Sequence, residues 1–219
     1  MSLVPAKYRF GLSNLKQFFW GGYRSYYYSQ YGEDIILRSL FKGKRDGLYV
    51  DVGAHHPKRY SNTKLLYDAG WRGINIEPDR ESYMRFVHKR PGDTNLNVGV
   101  GAKAGALTYH RFSDPALNTF DAGQAKQWMG KPWVAYLGES TVDVQPLSSI
   151  LESHASGAAI DLLTIDAEGM DADVLRSNNW QKYRPSVVVV ENSSEDLRDI
   201  LAGQGYTLYC MLGKSSVWH

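Results

Sequence analysis

Four acidic residues follow short apolar runs, and they are the residues of this chain best placed to do chemistry. If the apolar runs are strands of an open parallel sheet, their carboxyl ends lie along one edge, where ligands bind. Carboxylates gathered at one edge repel one another unless a cation or hydroxyl donors lie between them. The acids therefore predict a ligand that carries positive charge and hydroxyl groups. The four pairs are Val50-Asp51, Ile76-Glu77, Ile165-Asp166 and Val190-Glu191.

The stretch between the first two acids predicts a nucleotide-binding unit. Residues 48–50 form a short strand pattern that stops at Asp51 and at a turn with Gly53. A helix pattern follows with Ser61 as its N-cap, and a second strand pattern ends at Glu77. An acid about 20 residues beyond the first glycine is typical of the strand–turn–helix–strand unit that binds a nucleotide ribose.

The residues after Gly53 indicate which nucleotide this unit binds. A dinucleotide fingerprint would require glycine at two positions where the chain has His55 and Lys58. Pro57 has no N–H to offer a phosphate, and Asp51 would repel a pyrophosphate. S-Adenosylmethionine carries a ribose, an adenine, a sulfonium and an ammonium group, and it suits these residues better. The alternative is a structural turn that binds no ligand, because a single glycine turn is a weak motif.

Length, charge and cysteine content exclude several classes of protein. The 219 residues suffice for one domain with an extension. A net charge of +2 gives no reason to expect binding to nucleic acid or to a membrane surface. Cys210 is the single cysteine, so neither a disulfide framework nor a cysteine-rich metal site is expected. No apolar run is long enough for a membrane span and no secretory leader is evident, so we expect a cytoplasmic protein.

Strand and helix patterns alternate along the rest of the chain, which predicts an α/β fold. Helices are expected after residue 33, after Asp79, at Pro146, after Gly169 and after Ser194. The apolar runs that read as further strands are residues 96–100, 107–109, 141–144, 160–165, 187–190 and 206–211.

Two segments fall outside this alternation. Residues 1–28 form an aromatic-rich extension whose side chains must be buried on the main domain, on a second copy of the chain in a homo-oligomer, or across a substrate. Residues 110–140 are polar and aromatic without a clear period, and a loop of that length is usually functional. We predict that it is a lid over the substrate, with a disordered excursion as the alternative. Ser29 and Gln30, a polar pair just before a helix, are candidates for ligand contact.

Six segments together resemble the FkbM-type S-adenosylmethionine-dependent methyltransferases. The resemblance runs from Ser29 to Glu191 in the right order and spacing. It implies a Rossmann-like class I methyltransferase domain over residues 29–219, with three αβα layers and a seven-stranded, mostly parallel sheet with a reversed edge strand. The segments are SQYGED, VDVGAHHP, SNT, LYDAGWRGINIEPD, DPALNTF and LLTIDAEGMDADVL.

The resemblance also implies roles for particular residues. Asp51 and Gly53 match the first cofactor motif of the family, and Glu77, followed by Pro78, matches its ribose acid. Activities in the family are mostly O-methylations, often of sugars or sugar-bearing natural products, and the cofactor leaves as S-adenosylhomocysteine. The acceptor itself does not carry over. The remaining positions matched are Asn97 and Val98 beside the adenine, and Asp166 and Glu168 in the acidic motif that follows a strand.

Methyl transfer from a sulfonium depends mainly on alignment. Holding donor and acceptor in line can supply up to about 7–11 kcal/mol of the barrier, whereas a general base adds about 10²–10⁴-fold. The candidates for that base are His55 and His56 in the glycine turn, and Asp166 and Glu168. For each histidine the alternative is a neutral side chain that satisfies loop backbone.

Other chemistries remain open. Asp166 and Glu168 with a nearby histidine could form an oxygen-rich metal site, but no compact ligand motif is present and we predict none. A nicotinamide-dependent oxidoreductase on the same architecture is a second hypothesis, which His55 and Lys58 argue against. A third is a binding or assembly module that retains the fold without turnover.

Overall fold

The alternating patterns fold into an open sheet with helices packed on both faces. A computed structural model describes residues 26–192 and 194–219. Its strands are β1 Leu48–Val52, β2 Arg72–Ile76, β3 Thr94–Leu96, β4 Gly99–Val100, β5 Gly105–Phe112, β6 Tyr136–Gln145, β7 Leu162–Ile165, β8 Val187–Glu191, β9 Leu208–Leu212 and β10 Ser215–Trp218. Its helices are α1 Glu33–Leu40, α2 Lys64–Asp68, α3 Arg80–Lys89, α4 Ala122–Met129, α5 Leu147–His154, α6 Asp171–Arg176 and α7 Glu195–Gly203, with a 3₁₀ turn at Pro115–Leu117.

The main sheet has seven strands in the order β3-β2-β1-β7-β8-β10-β9. β1 pairs in parallel with β2 on one side and with β7 on the other, so the strand order reverses between β1 and β7. Only β10 runs against its neighbours in this sheet. The mostly parallel seven-stranded sheet of a class I methyltransferase fold is thereby confirmed.

The reversed strand lies one position inside the edge, not at the edge as expected. β9 and β10 form a hairpin around Gly213, whose φ is +57°, and the returning strand inserts between β8 and β9. All of β10 is buried. The sequence pattern did not identify β10, because its four residues begin with Ser215 and Ser216 and lack an apolar run.

Alternate side chains of the central strands point to opposite faces of the sheet and belong to two buried clusters. On one face Tyr49 and Val189 pack with Leu37 of α1 and Leu66 of α2. Each such buried aliphatic side chain contributes about 1.5–3 kcal/mol to folding. The other cluster joins the sheet to α5, α6 and α7 through Val50, Ile74, Ile165, Val190, Leu151, Val174 and Leu201.

Two expectations for the middle of the chain were wrong. Residues 96–100 are not one strand: β3 ends at Leu96 in the main sheet, and β4 belongs to a separate three-stranded sheet with the order β4-β6-β5. Residues 110–140 are not a structureless loop, because they contain the end of β5, the 3₁₀ turn, α4 and the start of β6. Helix α4 buries only Ala125 fully, which leaves almost no apolar period for sequence reasoning to detect.

The helix starts agree with expectation at some places and differ at others. Asp79 caps α3 by accepting a hydrogen bond from Ser82 N at 2.9 Å. Ser61 does not cap α2, which begins after Thr63, because the Ser61 hydroxyl accepts a hydrogen bond from a buried arginine, Arg90.

Among the described helices, none has the length and hydropathy needed to cross a bilayer. The predictions for the aromatic extension fall almost wholly on residues outside the described ranges.

Candidate functional site

The carboxyl ends of β1, β2, β7 and β8 border one cavity of about 670 Å³, a size common for small-molecule sites. The four strand-terminal acids, which the sequence placed along one edge, all line it. Asp51 is the penultimate residue of β1 and Glu191 the last residue of β8. Glu77 and Asp166 directly follow their strands.

Gly53 forms the base of the cavity at the point where the strand order reverses. Its φ is +72°, and a Cβ at this position would lie 1.9 Å from the carbonyl oxygen of Asp166. Gly53 N and Ala54 N both donate to the carbonyl oxygen of Ile76, at 3.0 and 3.2 Å. The turn after β1 therefore touches the turn after β7 and is tied to β2, with no room for a side chain.

The carboxylate of Glu77 is buried and engaged on both oxygens. Oε2 accepts from His55 N at 2.6 Å and Oε1 accepts from Asp79 N at 2.7 Å. Burial raises the pKa of Glu77 to about 8, although the two N–H bonds favour the charged form. Pro78 lines the cavity next to it.

Asn97 does not line the cavity, whereas its neighbour Val98 does. The Asn97 amide donates to the carbonyl oxygens of Glu77 and Pro78, both at 2.9 Å. Asn97 thus holds the turn after β2 in place. Its side-chain amide N–H groups are used in these two bonds and do not face an adenine site.

Asp51 lines the cavity from β1, and its carboxylate is held by a hydrogen bond from the neighbouring Thr63. Thr63 Oγ1 donates to Asp51 Oδ2 at 2.7 Å. Burial raises the pKa of Asp51, while the Thr63 hydrogen bond and the Arg90 charge act in the opposite direction.

The two histidines of the turn have different surroundings. His55 lines the cavity in a left-handed conformation with a φ of +52°. Neither of its buried ring nitrogens has a hydrogen-bond partner among the described residues. Burial, followed by the charge of Arg59, lowers the pKa of His55 to about 4, so the ring is neutral. His56 lies outside the lining, and its Nδ1 accepts from the backbone N of Lys58 and Arg59 at 3.0 and 2.9 Å. His56 therefore matches the alternative of a histidine that satisfies loop backbone.

Asp166, Glu168 and Glu191 form an acidic cluster in which one carboxylate oxygen from each residue lies within 4.8 Å of the other two. Burial and the neighbouring charge of Glu191 raise the pKa of Glu168 to about 8. Loss of hydration of the Asp166 carboxyl raises its pKa well above the ordinary range, and the neighbouring Glu191 carboxyl raises it further. Lys214 faces the cluster and partly offsets the shift at Glu168. Such a cluster can accept protons, bind hydroxyls or hold a hard cation, and the histidine that a metal site was expected to include is not part of it.

One wall of the cavity comes from the segment expected to be a lid. Gln124, Gln127 and Trp128 project from α4, and Trp133 stands at the mouth with 63% of its surface exposed. The Trp128 indole N–H is buried, and within residues 26–192 and 194–219 it has no hydrogen-bond partner. Sequence reasoning missed these residues, although their spacing of three and four positions places them on one helix face.

A hydrogen bond joins the segment before α4 to the turn after β7. Thr119 Oγ1 donates to the carbonyl oxygen of Glu168 at 2.7 Å. Before α1, Gln30, a predicted ligand contact, lines the cavity. Ser29 does not, because its hydroxyl donates to Asp34 Oδ1 at 2.7 Å within the turn before α1.

Left-handed backbone conformations concentrate at this cavity. In the described ranges, the non-glycine residues with positive φ are His55, Tyr60, Glu168 and Asn192, and all of them line it. Each such conformation costs about 1–3 kcal/mol, and strain of this kind gathers at functional sites.

Comparison with known proteins gives a family for these residues. A family model described as "Methyltransferase FkbM domain" matches residues 51–208. No curated protein matches significantly.

Similar solved structures are distant methyltransferases. A TehB-like SAM-dependent methyltransferase from Corynebacterium glutamicum is 11% identical over 98% of both chains, with a TM-score of 0.42. The C-terminal domain of precorrin-6Y C5,15-methyltransferase from Rhodobacter capsulatus is 12% identical over 84% of this chain and 85% of that chain, with a TM-score of 0.42. Precorrin-6y C5,15-methyltransferase from Geobacter metallireducens is 11% identical over 84% of both chains, with a TM-score of 0.40.

Proposed function

Because the chain belongs to the FkbM methyltransferase family, we propose that this S-adenosylmethionine-dependent enzyme methylates a hydroxyl oxygen of a saccharide or another hydroxyl-bearing small molecule. The observation that carries the choice of oxygen is the cluster of Asp166, Glu168 and Glu191, which borders the Gly53 turn. Carboxylates so close together can take up the proton that a hydroxyl must lose when its oxygen is methylated.

S-Adenosylmethionine supplies a methyl group activated by the positive charge on its sulfur. The cavity fits such a ligand, because strand-terminal carboxylates line it and Gly53 lets the turns after β1 and β7 meet at its base. We assign the ribose to Glu77 and the positively charged end to Asp51 and Asp166. The remaining contacts are assigned to Gln30, Gly53, Pro78 and Val98, with Asn97 fixing the turn that presents Glu77.

Glu168 is our candidate for the general base. Its pKa of about 8 in the free protein is close to the operating pH at which a base works best. A Glu168 carboxylate oxygen would take the proton that the acceptor hydroxyl loses, while the methyl group would pass from sulfur to the acceptor oxygen and leave S-adenosylhomocysteine. Asp166 and Glu191, each with a carboxylate oxygen within 4.8 Å of Glu168, would share the charge of the cluster with it.

His55 has a different role in this proposal. A histidine whose pKa lies near 4 is too weak a base to retain a hydroxyl proton at neutral pH. Its two unpartnered ring nitrogens can instead donate one hydrogen bond and accept another. We therefore assign His55 to ligand hydroxyls, and no step of the reaction to His56.

The wall from α4 suits an acceptor with a ring and several hydroxyls. Gln124 and Gln127 offer amide donors and acceptors, and the free indole N–H of Trp128 offers a donor. The exposed face of Trp133 can pack against an apolar ring face. Residues 110–140 serve in this proposal as the acceptor-binding insertion of the domain.

The proposal is tested in two steps. Calorimetry with S-adenosylmethionine, S-adenosylhomocysteine and NAD(H) should show binding of the first two and none of the nicotinamides. Methyl transfer is then measured on matched acceptors, such as methyl glucoside, its 2-amino analogue and catechol, with and without EDTA.

The outcomes separate the competing functions. O-Methyl products that form in EDTA would support the proposal, whereas products on nitrogen alone would contradict it. Loss of transfer in EDTA would make the acidic cluster a metal site. Binding without transfer across a broad hydroxyl panel would favour a module that retains the fold without turnover.

A further inference from the structure

A buried arginine lies behind the cofactor-binding turn. Arg90 follows α3 directly and is 1% exposed. Its Nη1 donates to Thr63 Oγ1 at 2.7 Å and to the Tyr49 hydroxyl at 3.3 Å. Its Nη2 donates to the carbonyl oxygen of Pro57 at 2.7 Å and to Ser61 Oγ at 2.8 Å.

The groups that contact this guanidinium directly are uncharged, and two of them, Thr63 and Tyr49, donate in turn to the carboxylates of Asp51 and Asp93. The guanidinium lies over the rings of Tyr67 and Phe86, 5.4 and 5.3 Å from their centres. Within the described ranges no carboxylate bonds to it directly. Burying a charge without a direct counter-ion is unfavourable, so folding stability alone does not explain why arginine occupies this position.

Each polar contact of Arg90 on the loop side leads to the cavity. Thr63, which accepts from Arg90, donates in turn to Asp51 at 2.7 Å. Between Pro57 and Ser61 the chain carries Arg59 and Tyr60, which line the cavity. The guanidinium therefore contacts the back of a segment whose front faces the ligand.

That segment is strained and needs to be held. Residues His55 and Tyr60 have φ values of +52° and +57°, and such conformations persist only where the surroundings over-determine them. His55 N is fixed from the front by Glu77. Arg90 holds the segment from the opposite side, because its planar guanidinium bonds to Pro57 O and Ser61 Oγ at the same time.

We propose that Arg90 is a positioning residue for cofactor binding, which holds residues 57–63 in their strained conformation and, through Thr63, orients the Asp51 carboxylate. Arg90 does not itself line the cavity. The inference depends on the S-adenosylmethionine site and not on the choice of acceptor.

The experiment compares four folded variants with the wild type by titration with S-adenosylhomocysteine and with S-adenosylmethionine. Thr63→Val keeps the side-chain shape and removes the hydroxyl that links Arg90 to Asp51. Arg90→Met should raise both dissociation constants by about tenfold to a hundredfold, as the loss of charged hydrogen bonds does. Arg90→Lys should recover part of the affinity, since an ammonium cannot reach all four partners. Arg80→Met, an exposed arginine at the other end of the same helix, is the control and should bind as the wild type does.

Further readouts separate positioning from general stability. With any acceptor that the panel identifies, the KM for S-adenosylmethionine should rise in Thr63→Val while the KM for the acceptor stays constant. Amide hydrogen exchange should increase over residues 55–61 and not in β7. If Arg90→Met does not fold, Thr63→Val and Arg90→Lys decide the question.

Wild-type affinity in a folded Thr63→Val or Arg90→Met variant, or an equal loss in Arg80→Met, would overturn the proposal. Failure of the wild type itself to bind S-adenosylhomocysteine would instead refute the cofactor assignments.

Discussion

The two halves of the cavity differ in how their carboxylates are satisfied. In the cofactor half, Asp51 accepts a hydrogen bond from Thr63, and Glu77 accepts two from backbone N–H groups. In the acceptor half, Glu168 and Glu191 lie beside Asp166, which we also assign to the charged end of the cofactor, and one carboxylate oxygen of each lies within 4.8 Å of the others. Lys214 is the cation that lowers the pKa of Glu168. The first half is organised before any ligand arrives, whereas the acids of the second half raise one another's pKa.

This difference indicates a division of labour. Carboxylates held by fixed donors present a rigid surface that binds the same ligand in every turnover, which favours alignment. Carboxylates that crowd one another keep their protons near neutral pH and exchange them when a charge or a hydroxyl comes close. Variants on the two sides should therefore fail in different ways, through cofactor affinity on one side and through turnover on the other.

The largest effect is expected where the two halves meet. Gly53→Ala would place a methyl group 1.9 Å from the carbonyl oxygen of Asp166 at a φ of +72°, so the turns after β1 and β7 must separate. We expect all measurable affinity for S-adenosylhomocysteine to be lost in calorimetry. Gly105→Ala, where an added Cβ meets nothing within 4 Å, is the matched control. Retained binding in Gly53→Ala would show that the contact between the halves is not required.

In the acceptor half, Glu168→Gln should lower kcat by about 10²–10⁴-fold, the usual contribution of a general base. Glutamine keeps the size of the side chain and cannot take up the proton. The dissociation constant of S-adenosylhomocysteine should stay within about twofold of the wild type, because Glu77 and Asp51 are unchanged. An unchanged kcat would remove Glu168 from the mechanism and leave Asp166 as the candidate.

In the cofactor half, Glu77→Ala should weaken S-adenosylhomocysteine binding by about tenfold, through loss of a charged hydrogen bond to the ribose and of the bond that holds His55 N. Glu81→Ala, an exposed acid in the first turn of α3, is the control. Equal affinities of the two variants would contradict the ribose assignment.

The contrast between the halves also shows which features sequence could reveal. The acids were predictable, because strand ends follow from apolar runs and parallel strands share one edge. Gly53 was predictable as a turn residue, but its contact with Asp166 depends on how β1 and β7 are aligned. Residue types alone could not separate Gln30, which faces the cavity, from Ser29, His56 and Asn97, which bond to the protein itself. Polar side chains serve either purpose, and packing decides between them.

Arg90 was beyond prediction for a related reason. A basic residue after the last turn of a helix suits the helix dipole on an exposed surface. Its burial follows from Tyr67 of α2 and Phe86 of α3, whose rings lie against it only in the folded chain. β10 and α4 escaped prediction because each is short and buries few apolar side chains that sequence could show as a period.

The burial of acids at the cavity predicts a dependence of stability on pH. The pKa values of Glu77 and Glu168 are raised to about 8 in the folded protein, from an ordinary 4.5. Folding is then favoured by proton uptake, so this stability is fully present below pH 4.5 and is lost as the pH rises through 8. We expect the Tm of the free protein to fall by several degrees across that window, and S-adenosylmethionine to reduce the fall because its charge favours the ionised carboxyls.

Whereas stability should fall as the pH rises, the affinity for S-adenosylmethionine should increase, because ionised carboxyls attract its positive charge. Between pH 8 and pH 6 its binding should weaken several-fold, while S-adenosylhomocysteine, which lacks the sulfonium charge, should change less. Parallel pH dependences for the two ligands would mean that the acids do not sense the sulfonium.

The smallest expected effect lies on the wall of the acceptor half. Trp128→Phe keeps an aromatic ring and removes only the buried, unpartnered indole N–H. If that group donates to an acceptor hydroxyl, the KM for the acceptor should rise by roughly threefold, the value of one neutral hydrogen bond, and the affinity for S-adenosylhomocysteine should not change. Trp180→Phe, which lies outside the cavity lining and packs on Tyr206, is the control. A lower KM for the acceptor in Trp128→Phe would contradict this assignment. It would mean that the indole N–H stays unpaired when the acceptor binds and that the acceptor presents an apolar face to α4.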